Sequence, residues 1–263
     1  FLMMLISIIS FIVLTIFVGN LVWIKDFQYF VVLISGVFAM FIGVIALLRY
    51  YTPKESITFI LLGFGFFVVG FLDVIQLILE IGDFVTLFMY RPGEIYPFSS
   101  ILSRGFLSIL IFFSWFLGNK KDSKIITTKK ESLTMLSVVG ITLLFGTTIC
   151  YLVVNKFLLD TLWVVVAGIL TMMFLLLSFV GYMFRKNWKY DNFDFWLIFA
   201  ISFLLLSQVF FLPFLNIEYY NMVNLSIWAK FFAYLALLIG FLNSIYEMYQ
   251  NEILIQKELK KKN

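Results

Sequence analysis

Runs of about twenty apolar residues, each long enough to cross roughly 30 Å of hydrocarbon, follow one another along almost the whole chain. In lipid a segment must satisfy its own backbone hydrogen bonds, and runs of this length do so as helices. A membrane β-barrel would need short segments of alternating polarity, and the sequence holds none. Of the 263 residues 63% are hydrophobic and 13% charged, about half the charged fraction of a soluble domain. Spans are predicted near 2–21, 29–50, 57–80, 99–118, 133–155, 161–184, 195–216 and 224–247. The expected fold class is an all-α integral membrane protein, an eight-helix transmembrane bundle in the lipid bilayer.

Lys and Arg set the orientation, because cytoplasmic loops retain an excess of them. In an eight-span count Arg49, Lys54, Lys120, Lys121, Lys124, Lys129, Lys130, Arg185, Lys186, Lys189 and the tail Lys257, Lys260, Lys261 and Lys262 share one side. The opposite loops hold only Lys25, Arg91 and Lys156, and are acidic through Asp26, Glu80, Asp83, Glu94, Asp160 and Glu218. Both termini are therefore expected in the cytoplasm, with the protein in the plasma membrane. The net charge of +4 is explained by this topology, so nucleic acid is not expected as a partner.

Several kinds of chemistry drop out. The chain has one cysteine, Cys150, and no histidine, which removes disulfides, His-ligated haem or zinc, and His acid–base catalysis. It has no nucleophile elbow, no P-loop and no close pair of carboxylates within a span. Neither catalysis, a metal nor a cofactor is expected within it. Phe1 stands where an initiator methionine would, which suggests a piece of a longer protein.

The last span does not stop at Gly240. From Asn243 to Lys262 there is no Gly or Pro, and helix formers dominate. Residues 1–244 are read as the bundle and 245–263 as a cytoplasmic output helix leading to a further domain. Met248, Ile255 and Leu259 hint at a heptad seam through which a homodimer would form. The alternative is a solvated helical end whose lysines anchor at the headgroups.

Ionisable groups inside spans are rare and costly, so each is a candidate site residue. Asp73, Gln76 and Glu80 follow at i, i+3 and i+7 on the third span, one helix face. Ser100, Arg104 and Ser108 form a matching stripe on the fourth. Lys230 and Tyr234 do so on the eighth, and Gln208 on the seventh lies at similar depth. All fall in the outer half of the bilayer, while the inner half reads as almost pure Phe, Leu, Ile and Val. The expected ligand-binding set is Asp73, Gln76, Glu80, Arg104, Gln208, Lys230 and Tyr234, around an outward-facing pocket. The competing reading is that Asp73 pairs with Arg104 or Lys230 only to lock the helices together.

The segment Leu61 to Ile78, with Gly-Phe-Phe-Val-Val-Gly-Phe-Leu-Asp73-Val-Ile-Gln76 at its core, resembles the third class of bacterial and archaeal membrane-associated sensor domains, the MASE group. Ser103-Arg104-Gly-Phe-Leu-Ser108 and Ala229-Lys230-Phe-Phe-Ala-Tyr234-Leu-Ala-Leu-Leu-Ile-Gly240 share the likeness, about a third of the chain in all. The resemblance implies an input module ahead of a histidine kinase or cyclic-nucleotide enzyme. It would bind a small extracellular or membrane ligand and relay the signal through the last helix to a covalently linked cytoplasmic domain. The chain departs from the family where a histidine usually follows the aspartate by three residues, here Gln76, and where another precedes the last-span lysine. Histidine chemistry in relatives is therefore not open to this chain. The alternatives are a transporter or channel subunit, and a structural or assembly membrane protein.

Overall fold

A computed structural model describes residues 25–50, 57–81, 95–118, 161–185, 192–211 and 220–262, together with Gly140. Among the described residues all regular structure is helical: α1 (Lys25–Tyr50), α2 (Ile57–Ile81), α3 (Ile95–Gly118), α4 (Thr161–Phe184), α5 (Asn192–Phe211) and α6 (Tyr220–Lys262). These coincide with six of the predicted spans. The runs 2–21 and 133–155 lie outside the described residues, save Gly140. Five helices are long and apolar enough to cross a membrane; in α3 the apolar stretch is the shorter Ser103–Leu117.

Side chains on the outside of the helices show what solvent they meet. Phe41, Leu48, Phe71, Phe113, Met173 and Leu177 are all exposed, a pattern that lipid satisfies and water does not. This is a membrane protein.

The helices pack in a ring: α1 on α2, then α3, α4, α5 and α6, with α6 returning to α1. Their directions follow from residue pairs. The α2–α3 contact is antiparallel, since Gly65 meets Leu110 while Thr58 reaches the Ser114 carbonyl. The α3–α4 contact is parallel: Gly105 meets Thr171 and Trp115 meets Gly181. Gln208 reaches Gly168, and Ser207 reaches Ser226, in antiparallel α4–α5 and α5–α6 contacts. Phe38 stacks with Phe231 and Arg49 reaches Ser244, so α1 and α6 run parallel. Thus α1, α3, α4 and α6 run one way, and α2 and α5 the other. The end at which α1, α3 and α4 finish is called the exit end below, because α6 continues past it.

The closest helix contact is between α1 and α2, and glycine makes it. Gly36 lies opposite Gly70 and Gly43 opposite Gly63, a spacing of seven on both helices that keeps one seam in register. A Cβ placed on Gly70 would sit 2.4 Å from the Gly36 carbonyl oxygen, and one on Gly43 2.6 Å from the Phe67 nitrogen. Gly65, on another face of α2, meets only the flexible Leu110 and Leu107 side chains.

Inside the ring, Leu62, Phe66, Leu107, Ile111, Ile201 and Leu237 are fully buried and form an apolar middle layer. The exit end is more polar than its sequence suggested. The Tyr182 and Ser114 hydroxyls bond at 2.7 Å between α4 and α3, and Thr58 donates to the Ser114 carbonyl. Asp194 is buried in the first turn of α5, where a carboxylate suits the helix dipole. Trp196, read from the sequence as one of an interfacial belt, packs against Gly240. Because the Ser114 hydroxyl also bonds the Ile111 carbonyl, Tyr182→Phe removes one buried hydrogen bond and strands little. It should lower stability by about 1 kcal/mol in a reversible detergent-unfolding titration.

Candidate functional site

Asp73 lies three residues beyond Gly70, so the glycine seam fixes its place. Its Cβ stands 3.4 Å from where a Gly36 Cβ would be. From there its carboxylate reaches across the ring interior to α6. Lys230 Nζ donates to Asp73 Oδ2 at 2.6 Å, with the two side chains only 9% and 3% exposed. Of the two partners the sequence allowed Asp73, the structure pairs it with Lys230.

Tyr234, one turn along α6 from Lys230, is fully buried. The Lys230 ammonium lies 5.6 Å from its ring centre, and Phe66 meets the ring edge-on at 5.5 Å. Arg104 on α3 is buried, donates from Nη1 to the Ser207 carbonyl at 3.3 Å, and sits 4.5 Å over the Phe211 ring. Its charge and that of Asp73 both act on Lys230 and on Tyr234. Asp73, Lys230, Tyr234 and Arg104 thus form one electrostatic cluster, drawn from α2, α3 and α6. It lies in the half of the bundle away from the exit end.

Gln208 is buried at the same level but does a different job. Its Nε2 donates to the Gly168 carbonyl at 3.2 Å, tying α5 to α4. Beside it, Ser207 and Ser226 each donate to the other's carbonyl, at 2.7 and 2.9 Å, and stitch α5 to α6. The side chains of Gln76 and Glu80 lie outside the described residues; their places on α2 put them on the Asp73 face by spacing alone. Among the described residues no group of His, Cys, Asp and Glu could hold a metal ion.

Three buried polar atoms here have no hydrogen-bond partner among the described residues: Gln208 Oε1, Asn224 Oδ1 and the Tyr234 hydroxyl. Such atoms cost about 1–3 kcal/mol each when left dry, more than a packing site tolerates without reason.

A second polar group, at the exit end, was not expected. Arg49 stacks over Phe59 at 4.2 Å and Phe193 at 5.5 Å, and donates to the Ser244 hydroxyl on α6. Phe59, Phe193 and Phe241 meet one another at centroid distances of 4.7–6.1 Å, so α2, α5 and α6 share one aromatic cluster. Asn192 donates to the Glu247 carboxylate, a second tie from α5 to α6. Ser244 is the last buried residue of α6, and the exposed residues from Tyr246 onward project away from the bundle. Lys230 and Ser244 lie on the same helix, about 21 Å apart at 1.5 Å per residue. The signal that could have revealed this tie is the i, i+3 pair Ser244 and Glu247 at the end of an apolar helix face.

No protein-family model, curated protein or solved structure matches the chain. What fold and site define together is a class: an all-helical membrane protein with an ion pair buried between two of its helices.

Proposed function

We propose that this chain is a transmembrane sensory input module of the MASE kind, in the plasma membrane. A ligand meets the Asp73–Lys230–Arg104–Tyr234 cluster and the last helix carries the response into the cytoplasm. The observation that carries this reading is that one helix, α6, holds both the buried ion pair and the exit-end tie. A change at Lys230 is therefore a change in the element that leaves the bundle, which gives a two-packing relay its physical basis. From Ser244 to Lys262 the helix extends about 27 Å beyond the bundle, a suitable reach to a covalently linked kinase or cyclase.

Eight spans with both termini in the cytoplasm belong to the same reading. Support for the count comes from α3 and α4, which run parallel, so the chain between them has to return across the bundle. Support for the orientation comes from Arg49, Arg185 and the tail Lys257 and Lys260, all on the exit side. A transporter gains some support from the polar groups of the inner half. Against it stands the apolar layer of Leu62, Leu107, Ile111, Ile201 and Leu237 between the two clusters.

The relay is tested by spin labels at two exposed exit-end positions, Phe184 and Tyr246, in nanodiscs. Asp73→Asn should shift the distance distribution between them, although the mutated site is at the other end. Arg49→Ala should broaden the same distribution directly. An Asp73→Asn protein that is folded and keeps the wild-type distribution would overturn the relay.

A further inference from the structure

We propose that the cluster of Lys230, Arg104 and Tyr234 is the receptor for a single small oxyanion, a carboxylate or phosphate group. The inference rests on the ligand-site reading above and names the chemistry that reading leaves open.

Charge is the first argument. Within the cluster the described ionisable groups are two cations, Lys230 and Arg104, and one acid, Asp73. The Lys230–Asp73 bond at 2.6 Å neutralises one pair, and Arg104 leaves the cluster with a surplus of one positive charge. In a low-dielectric interior this surplus attracts an anion and repels a cation. A metal ion would need several acidic or sulfur ligands, and none gather among the described residues.

Donors are the second argument. The Tyr234 hydroxyl is fully buried, lies in the field of Asp73 and Arg104, and has no hydrogen-bond partner among the described residues. An ammonium carries three N–H donors, and Lys230 commits one to Asp73. An O–H and an ammonium N–H set one turn apart on α6, with a guanidinium opposite on α3, suit the several lone pairs of an oxyanion. A neutral or purely apolar guest would leave the hydroxyl unpaired.

The source is either a free acid or an anionic lipid headgroup, and the same experiment separates them. Thermal midpoints are measured on the full chain in phosphatidylcholine nanodiscs, titrated with sodium phosphate or sodium acetate against chloride at constant ionic strength. A second set of nanodiscs contains phosphatidylglycerol and no added oxyanion. A saturable rise with phosphate or acetate assigns a free acid, and a rise with phosphatidylglycerol alone assigns a headgroup. No rise in any arm overturns the proposal.

Tyr234→Phe is the decisive variant. It should leave the midpoint without oxyanion unchanged or higher, because an unpartnered buried hydroxyl is removed. It should also weaken the oxyanion effect by about tenfold, the loss of one hydrogen bond to a charged group. A Tyr234→Phe protein that is destabilised without oxyanion and binds it as well as wild type would overturn the assignment. Glu80→Gln should leave the affinity within about twofold. A large gain in affinity there would show that the Glu80 carboxylate already fills the anion's place, and would overturn the proposal too. Should the oxyanion arms fail while Asp73→Asn still shifts the exit-end distances, the relay stands and only the anion falls.

Discussion

Lys230→Met should destabilise the protein by about 3–5 kcal/mol, because it strands the Asp73 carboxylate in the bundle interior without its partner. Asp73→Asn alone should cost less, since Lys230 can still meet the amide oxygen. The double variant Lys230→Met/Asp73→Asn should recover more than half of the loss, because no uncompensated charge remains. Reversible unfolding in a detergent titration gives the four corners of the cycle, and the interaction term should be large and favourable. The cycle also separates two readings that the ion pair alone does not. If the pair only locks packing, the recovered double variant has wild-type distances between labels at Phe184 and Tyr246. If the pair biases α6 between two packings, the double variant is stable yet shifted at the exit end.

Much of this site is legible in the sequence because charge is so rare there. Asp73, Arg104 and Lys230 stand out as ionisable residues inside long apolar runs, and all three are buried. Which of the cations would hold Asp73 was not legible. That choice depends on α2 facing α6 across the ring interior, and apolar runs of similar composition do not encode their order around a ring. Gln208 shows the same limit: depth placed it at the level of the cluster, but its amide bonds to α4 at Gly168. The exit-end cluster was missed for another reason. Arg49 was counted with the loop cations that set orientation, whereas its guanidinium is stacked on Phe59 and Phe193 at the end of α1. A count of basic residues treats every such side chain as solvated, and so overlooks the one that ties α6 down. Glycine was half legible. Gly63 and Gly70 read as sites of close approach, but their partners Gly36 and Gly43 become meaningful only once α1 and α2 are set antiparallel.

That seam carries the second large effect. Gly70→Val should cost about 3 kcal/mol or more, at the upper end of what overpacking does. A Cβ there would stand 2.4 Å from the Gly36 carbonyl oxygen and 2.7 Å from the Met40 nitrogen, both backbone atoms on an α-helix. Neither can rotate away, so α1 and α2 must separate by about 1 Å to restore van der Waals distance. Gly36→Ala is expected to be milder, because its first contact is the movable Val74 side chain at 3.0 Å. Gly105→Ala should be close to neutral, with only Thr171 Oγ1 at 3.2 Å in its way. The order Gly70, then Gly36, then Gly105 is read from unfolding midpoints of the three variants in one detergent. A Gly70→Val protein as stable as Gly105→Ala would mean the two helices do not meet at this seam. The consequence reaches the site as well, since Asp73 is one turn from Gly70 and its 2.6 Å bond to Lys230 depends on where α2 lies. Gly70→Ala, a smaller wedge in the same place, should therefore shift the exit-end label distances in the same direction as Asp73→Asn, by displacing the carboxylate instead of neutralising it.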